Sequence, residues 1–159
     1  MKNKIIFSDK SQEVDWMVGF IMRRHTYVES FLEQVIVRKI VGNEEQKRNI
    51  FEELFVEGKT FGYKLEIFNK LNKKKIFEKD LKNVYKDMYE LNDIRNAIAH
   101  NITTFPLDED KAPNLSKPFV THKGKEFYLN RKLLEKYQNL AKKINQELDN
   151  LITEFLAKT

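Results

Sequence analysis

The sequence predicts an all-α domain, an antiparallel up-and-down helical bundle with a small β-hairpin or irregular insertion before its last helix. Apolar residues recur at intervals of three and four over most of the chain, the spacing that lines one face of a helix. Only five Gly and three Pro occur in 159 residues, so helix formers are plentiful and tight turns few. The periodicity lapses across residues 101–125, where Pro and acidic residues gather and strand-like runs begin. With 41% hydrophobic residues, a chain of this length suits one core, so residues 1–159 read as a single domain.

Residues 11–41 predict a long first helix. Val14, Val18, Ile21, His25, Val28, Leu32, Val35, Ile36 and Ile40 form its stripe, Trp16, Met17, Met22 and Phe31 widen it, and Ser8 or Ser11 is available as a cap. A stripe this wide predicts packing against both its own bundle and a second protomer. Gly42 and Asn43 close the helix. Residues 44–56 form a second amphipathic segment through Ile50, Phe51, Leu54 and Phe55, with an acidic first turn, and Gly58 ends it. Thr60 caps a short helix to residue 71, with Phe61, Leu65, Ile67, Phe68 and Leu71 on its apolar side. Asp80 then opens a helix of about six turns that frays near His100 or Asn101, ahead of a β-branched run and Pro106. The irregular excursion over 101–125 leaves directly from this helix end, in position to line or cover what stands there. Within it, Phe119-Val120-Thr121-His122, Lys123-Gly124-Lys125 and Glu126-Phe127-Tyr128-Leu129 read as an appended hairpin. Asn130 caps a last helix over residues 130–157.

Composition excludes several chemistries. With no Cys there is no disulfide frame, thiolate metal site or Cys nucleophile. The apolar stretch Ile5-Ile6-Phe7 is too short for a signal peptide or a spanning segment, which predicts a soluble cytoplasmic protein with no membrane association. The net charge of +5 suits a polyanionic partner, but Lys and Glu are interleaved, as on an ordinary solvated surface. His25, His100 and His122 form no local ligand pair, no Gly-rich loop cradles a nucleotide and no serine elbow occurs, so no metal and no cofactor are predicted. What remains is chemistry that needs only proton transfer and charge stabilisation. RNA suits it, because RNA carries its own nucleophile in the 2′-hydroxyl.

The stretch that carries such chemistry is residues 91–101. Asn96 and His100, four apart, lie nearly above one another on a helix, and the long side chain of Arg95 reaches the same space. An Arg holds phosphate oxygens bidentately, a His gives or takes a proton near neutrality, and an Asn positions a phosphate or ribose hydroxyl.

Arg95-Asn96-Ala97-Ile98-Ala99-His100 resembles the Arg-polar-x-x-x-His signature of HEPN-domain proteins, an all-helical family with many prokaryotic metal-independent endoribonucleases. The resemblance covers this motif and the helical framework around it, about residues 11–157. It implies a HEPN-like bundle acting as a homodimer, with Arg95, Asn96 and His100 of two protomers meeting at a composite catalytic site on an RNA substrate. It also implies a setting in toxin-antitoxin, abortive-infection or other antiviral defence, with an antitoxin or regulatory protein as a further partner. Some family toxins carry Tyr two residues beyond the His, where this chain has Ile102. The alternative is a non-catalytic helical dimerisation or regulatory module, and a third reading is a nucleic-acid binder without cleavage.

The candidate residues also admit structural roles. Arg95 has Asp87, Glu90 and Asp93 nearby as ion-pair partners. His100 can serve unpaired carbonyls at a helix C-terminus. His25 reads as a packed ring bonded to Glu29 one turn on; alternatively His25 or Glu29 stands at the edge of the Arg95 cluster and helps bind substrate. Lys73, Lys74 and Lys75 are candidates for RNA backbone contact or a solvated loop. His122 is expected to be exposed.

Overall fold

Local signals set where each helix begins and ends. Helix α1 runs Lys10–Val41 and stops where Gly42 takes a φ of +90°, a setting that favours glycine; the Gly42 N–H bonds back to the Arg38 carbonyl at 3.0 Å. The computed structural model describes residues 10–100, 103–104 and 117–157, so Ser8 and most of the excursion predicted over 101–125 lie outside the described residues. Ser11 lies within α1 rather than capping it.

The segment after Gly42 departs from expectation. Helix α2 (Glu45–Phe51) passes into a five-residue π-helical turn, Glu52–Val56, and the stripe predicted to be buried faces outward. Ile50, Leu54 and Phe55 are 51%, 61% and 52% exposed, and Val56 is the residue that reaches the core. The wider turn, closed by the Glu57 N–H on the Glu52 carbonyl at 2.8 Å, accommodates an extra residue and rotates the backbone beyond it.

Helix α3 (Phe61–Lys73) starts where the Thr60 hydroxyl accepts from the Tyr63 N–H at 3.3 Å. Helix α4 (Lys82–His100) starts beside Asp80, whose carboxylate accepts from the Lys82 N–H at 2.9 Å. Helix α5 (Arg131–Leu156) is capped by Asn130, which accepts from the Leu133 N–H at 3.0 Å. Asn130→Ala should lower the unfolding free energy by about 1 kcal/mol. The check is a lower urea midpoint with an unchanged slope.

Helix α4 is the hub, touching α1, α3, α5 and the hairpin. Asp87 meets Lys143 at 2.6 Å and Glu90 meets Lys136 at 2.5 Å, so α4 and α5 run antiparallel. Ile21, Leu32 and Ile36 of α1, Phe68 of α3, Met88, Leu91 and Ile94 of α4 and Ile144 and Leu148 of α5 meet in one core. The protein is thus mostly helical, with one small antiparallel sheet. Among the described residues no helix is long and apolar enough to cross a membrane.

The hairpin is tighter and better anchored than an appendage. Strands β1 (Phe119–His122) and β2 (Lys125–Tyr128) pair with Phe119 opposite Tyr128 and His122 opposite Lys125. The turn is two residues, Lys123 and Gly124, with φ of +50° and +72°, the double positive φ that matches strand twist. Lys125 therefore belongs to the strand. Val120 and Leu129 are buried in the main core, and Thr104 bonds to Phe119 through both backbone groups at 2.7 and 2.8 Å. The apolar side of this short sheet is what fastens it to the bundle.

Candidate active site

The last two turns of α4 bury Leu91, Ile94, Ala97 and Ile98, which leaves Asn92, Arg95 and Asn96 half-buried at the edge and His100 exposed. One Nη1 of Arg95 donates to Asn96 Oδ1 at 2.9 Å and stands 3.4 Å from His100 Nε2. Arg95 thus contacts both Asn96 and His100. A guanidinium can only donate, so a hydrogen bond across this contact needs the His100 nitrogen as its acceptor.

The acidic neighbours that were alternatives for Arg95 are engaged elsewhere. Asp87 holds Lys143, Glu90 holds Lys136, and Asp93 holds Lys123 at 2.7 Å. Among the described residues no carboxylate lies within ion-pair range of Arg95. The cation instead faces a cavity of about 450 Å³.

Four elements build that cavity. Helix α1 contributes His25 and Glu29, α3 its first turn, α4 the Arg95 cluster, and β1 His122. All three histidines of the chain therefore line one space. Thr60, Phe61 and Gly62 bring the N-terminus of α3 to the same wall, where free N–H groups and the positive end of the helix dipole suit an anion. Among the described residues no group of three or more His, Asp or Glu is arranged to hold a metal ion.

His25 is packed, as expected, but with other partners. It is 4% exposed, its ring meets Phe61 edge-on at 4.3 Å between centroids, and the Asn92 side chain bonds to it. Burial pushes its pKa down to about 4; the Glu29 charge opposes that and Arg95 reinforces it. Glu29 is not the ring's hydrogen-bond partner because Lys64 of α3 takes it, Nζ lying 2.6 Å from Oε1. Glu29 lines the cavity with its carboxylate engaged by Lys64, a cation it shares with Glu33.

His122 corrects the expectation of exposure. Docking of the hairpin leaves its side chain 20% exposed, with Nε2 buried 3.9 Å from Asp93 Oδ1. Asp93 is fixed by Lys123, whose Nζ also donates to the Tyr89 hydroxyl at 3.4 Å. Beneath the cluster, Tyr137 of α5 is fully buried; burial raises its phenol pKa well above the ordinary value, against the pull of the Arg95 charge. His25 Nε2, Arg95 Nε, His122 Nε2 and the Tyr137 hydroxyl have no hydrogen-bond partner among the described residues. Left without a partner, a buried polar atom costs about 1–3 kcal/mol.

Lys73, Lys74 and Lys75 are not brought to the cavity. They are exposed at the far end of α3, about 18 Å along its axis from Phe61. Two contributors had no motif: the α3 N-terminus, for which Thr60 as a cap was the available signal, and His122, whose placement depends on where the hairpin docks. Comparisons of the chain with protein-family models, with characterised proteins and with solved structures give no match.

Proposed function

We propose that the protein is a HEPN-like, metal-independent endoribonuclease whose Arg95, Asn96 and His100 act on RNA. The observation that carries the reading is an Arg with no carboxylate partner among the described residues, set beside an exposed titratable ring at the wall of a cavity large enough for a nucleotide. In this reading Arg95 takes the phosphate oxygens, Asn96 holds the guanidinium in place, and His100 draws the proton from the 2′-hydroxyl. The Arg95 contact to His100, at 3.4 Å, is long enough to yield to a phosphate. The α3 N-terminus adds dipolar attraction for the same anion.

A second copy of the chain is the first partner proposed, placing two such clusters across a shared cleft in the cytoplasm. An antitoxin or regulator is the second, in a toxin-antitoxin, abortive-infection or other antiviral setting. Outward-facing Ile50, Leu54 and Phe55 provide apolar area for a protein partner. That same patch favours the second reading, a non-catalytic helical interaction module.

The test is incubation of single-stranded RNA with the protein in excess chelator. Wild type should yield 2′,3′-cyclic phosphate and 5′-hydroxyl ends, and His100→Ala should be slower by about a hundredfold or more. His100 is exposed, so its truncation leaves the core intact. Equal cleavage by both proteins would remove the catalytic assignment, and no cleavage by either would leave the interaction module.

A further inference from the structure

We propose that His122 is the second proton-transfer group of the same cavity, so that one chain supplies both the base and the acid for RNA cleavage. This rests on the nuclease reading above and extends it to a residue outside the Arg-Asn-x-x-x-His motif. Phosphodiester cleavage by a 2′-hydroxyl needs a proton removed at one oxygen and a proton delivered at another. One ring cannot face both oxygens of an in-line displacement at once, and the motif provides one ring per chain.

The cavity provides two suitable rings. His100 and His122 both line it, from α4 and from β1. Their neighbours are of opposite character. His100 presents Nε2 to Arg95, a cation that only donates, a neighbour that complements a neutral, proton-accepting ring and so suits a base. His122 Nε2 faces the Asp93 carboxylate across 3.9 Å, a charge-range contact rather than a hydrogen bond, and an anion there complements the positive charge that an imidazolium acid must carry. His25, the third ring, is sealed against Phe61 and held neutral by burial, which suits neither task.

The placement of His122 is rigid for a hairpin residue. Val120, two positions back, is anchored in the core, and the two-residue turn at Lys123 and Gly124 fixes the register. Lys123 ties Asp93 down at 2.7 Å, which makes Asp93 a positioning residue for the ring. The step then balances. The 2′-oxygen bonds to phosphorus as neutral His100 takes its proton, the bond from phosphorus to the 5′-oxygen breaks, and His122, entering as the doubly protonated imidazolium, gives one proton to the departing oxygen and is left neutral. Arg95 neutralises the charge on the non-bridging oxygens, and water restores both rings to their starting protonation.

A leaving-group comparison tests this. A ribodinucleoside monophosphate needs a proton at its departing oxygen, whereas uridine 3′-(4-nitrophenyl phosphate) does not. His122→Ala should cleave the first more slowly than wild type by about a hundredfold or more. It should cleave the nitrophenyl ester at nearly the wild-type rate, which also shows that the site is still folded. Asp93→Asn should repeat that pattern more weakly, and His100→Ala should be slow on both. A His122→Ala protein that matches wild type on both substrates, or is equally slowed on both, overturns the role of His122 alone. A wild-type protein that cleaves neither overturns the nuclease reading, and this assignment with it.

Discussion

Lys64→Met should lower the unfolding free energy by about 3 kcal/mol, enough to shift the melting temperature down by roughly 6–12 °C. Lys64 occupies the buried side of α3, in the same row as Phe61 and Phe68, and its side chain is 4% exposed. Burial by itself would lower the lysine pKa; hydrogen bonds to Glu29 and Glu33, and their charges, outweigh it and hold the pKa above the ordinary value. Nζ bonds to both carboxylates, which lie one turn apart on α1 and so pin α3 to α1 beside the cavity. Methionine retains the aliphatic stem while removing the charge. Two carboxylates are then left without their cation. Their side chains are 27% and 22% exposed and regain some hydration, which keeps the loss near the lower end of the 3–5 kcal/mol range for a broken buried pair. Adding Glu29→Gln and Glu33→Gln to Lys64→Met should recover most of the loss, since no unpaired charge remains. A Lys64→Met protein that melts like wild type would mean the cluster contributes nothing to holding α1 and α3 together.

The helical framework was legible because its boundaries are local. Gly42, Thr60, Asp80 and Asn130 act within a turn of themselves, so their effect could be read without knowing what packs against what. The same holds for Arg95, Asn96 and His100, neighbours along a single helix. Features that depend on tertiary packing were not legible. Ile50, Leu54 and Phe55 face outward because α2, which has no buried residue, lies off the core and the π-helical turn after it brings Val56 inward instead, a placement that periodicity does not register. His122 reaches the cavity because Val120 and Leu129 find the core, a result of docking rather than of strand pattern. The exchange of Glu29 from His25 to Lys64 did leave a trace: a lysine in an apolar row, and two glutamates four apart on another helix. A buried Lys must find carboxylates, and that pairing could have been sought.

Acid should destabilise the fold through His25, with about 3 kcal/mol lost between pH 6.5 and pH 4. The folded pKa of about 4 lies below the ordinary value of 6.5, so the unfolded chain binds the proton more tightly than the folded one does. Stability from this group is therefore full above pH 6.5 and is lost as pH falls, levelling off below about pH 4. At pH 5 the expected loss is about 2 kcal/mol, still above the range where most carboxylates titrate. The physical cause is that a charged imidazole cannot keep its place against Phe61 with the Arg95 guanidinium close by. Urea denaturation of wild type at pH 7.5 and pH 5 should reveal this loss, and His25→Gln, polar but not titratable, should remove most of it. An unchanged pH slope in His25→Gln would place the acid sensitivity elsewhere. The consequence reaches the cavity, because protonating His25 sets a second cation beside Arg95. On the proposed nuclease reading, RNA cleavage should fade in mild acid partly through loss of the folded site, and in His25→Gln that part of the decline should be absent.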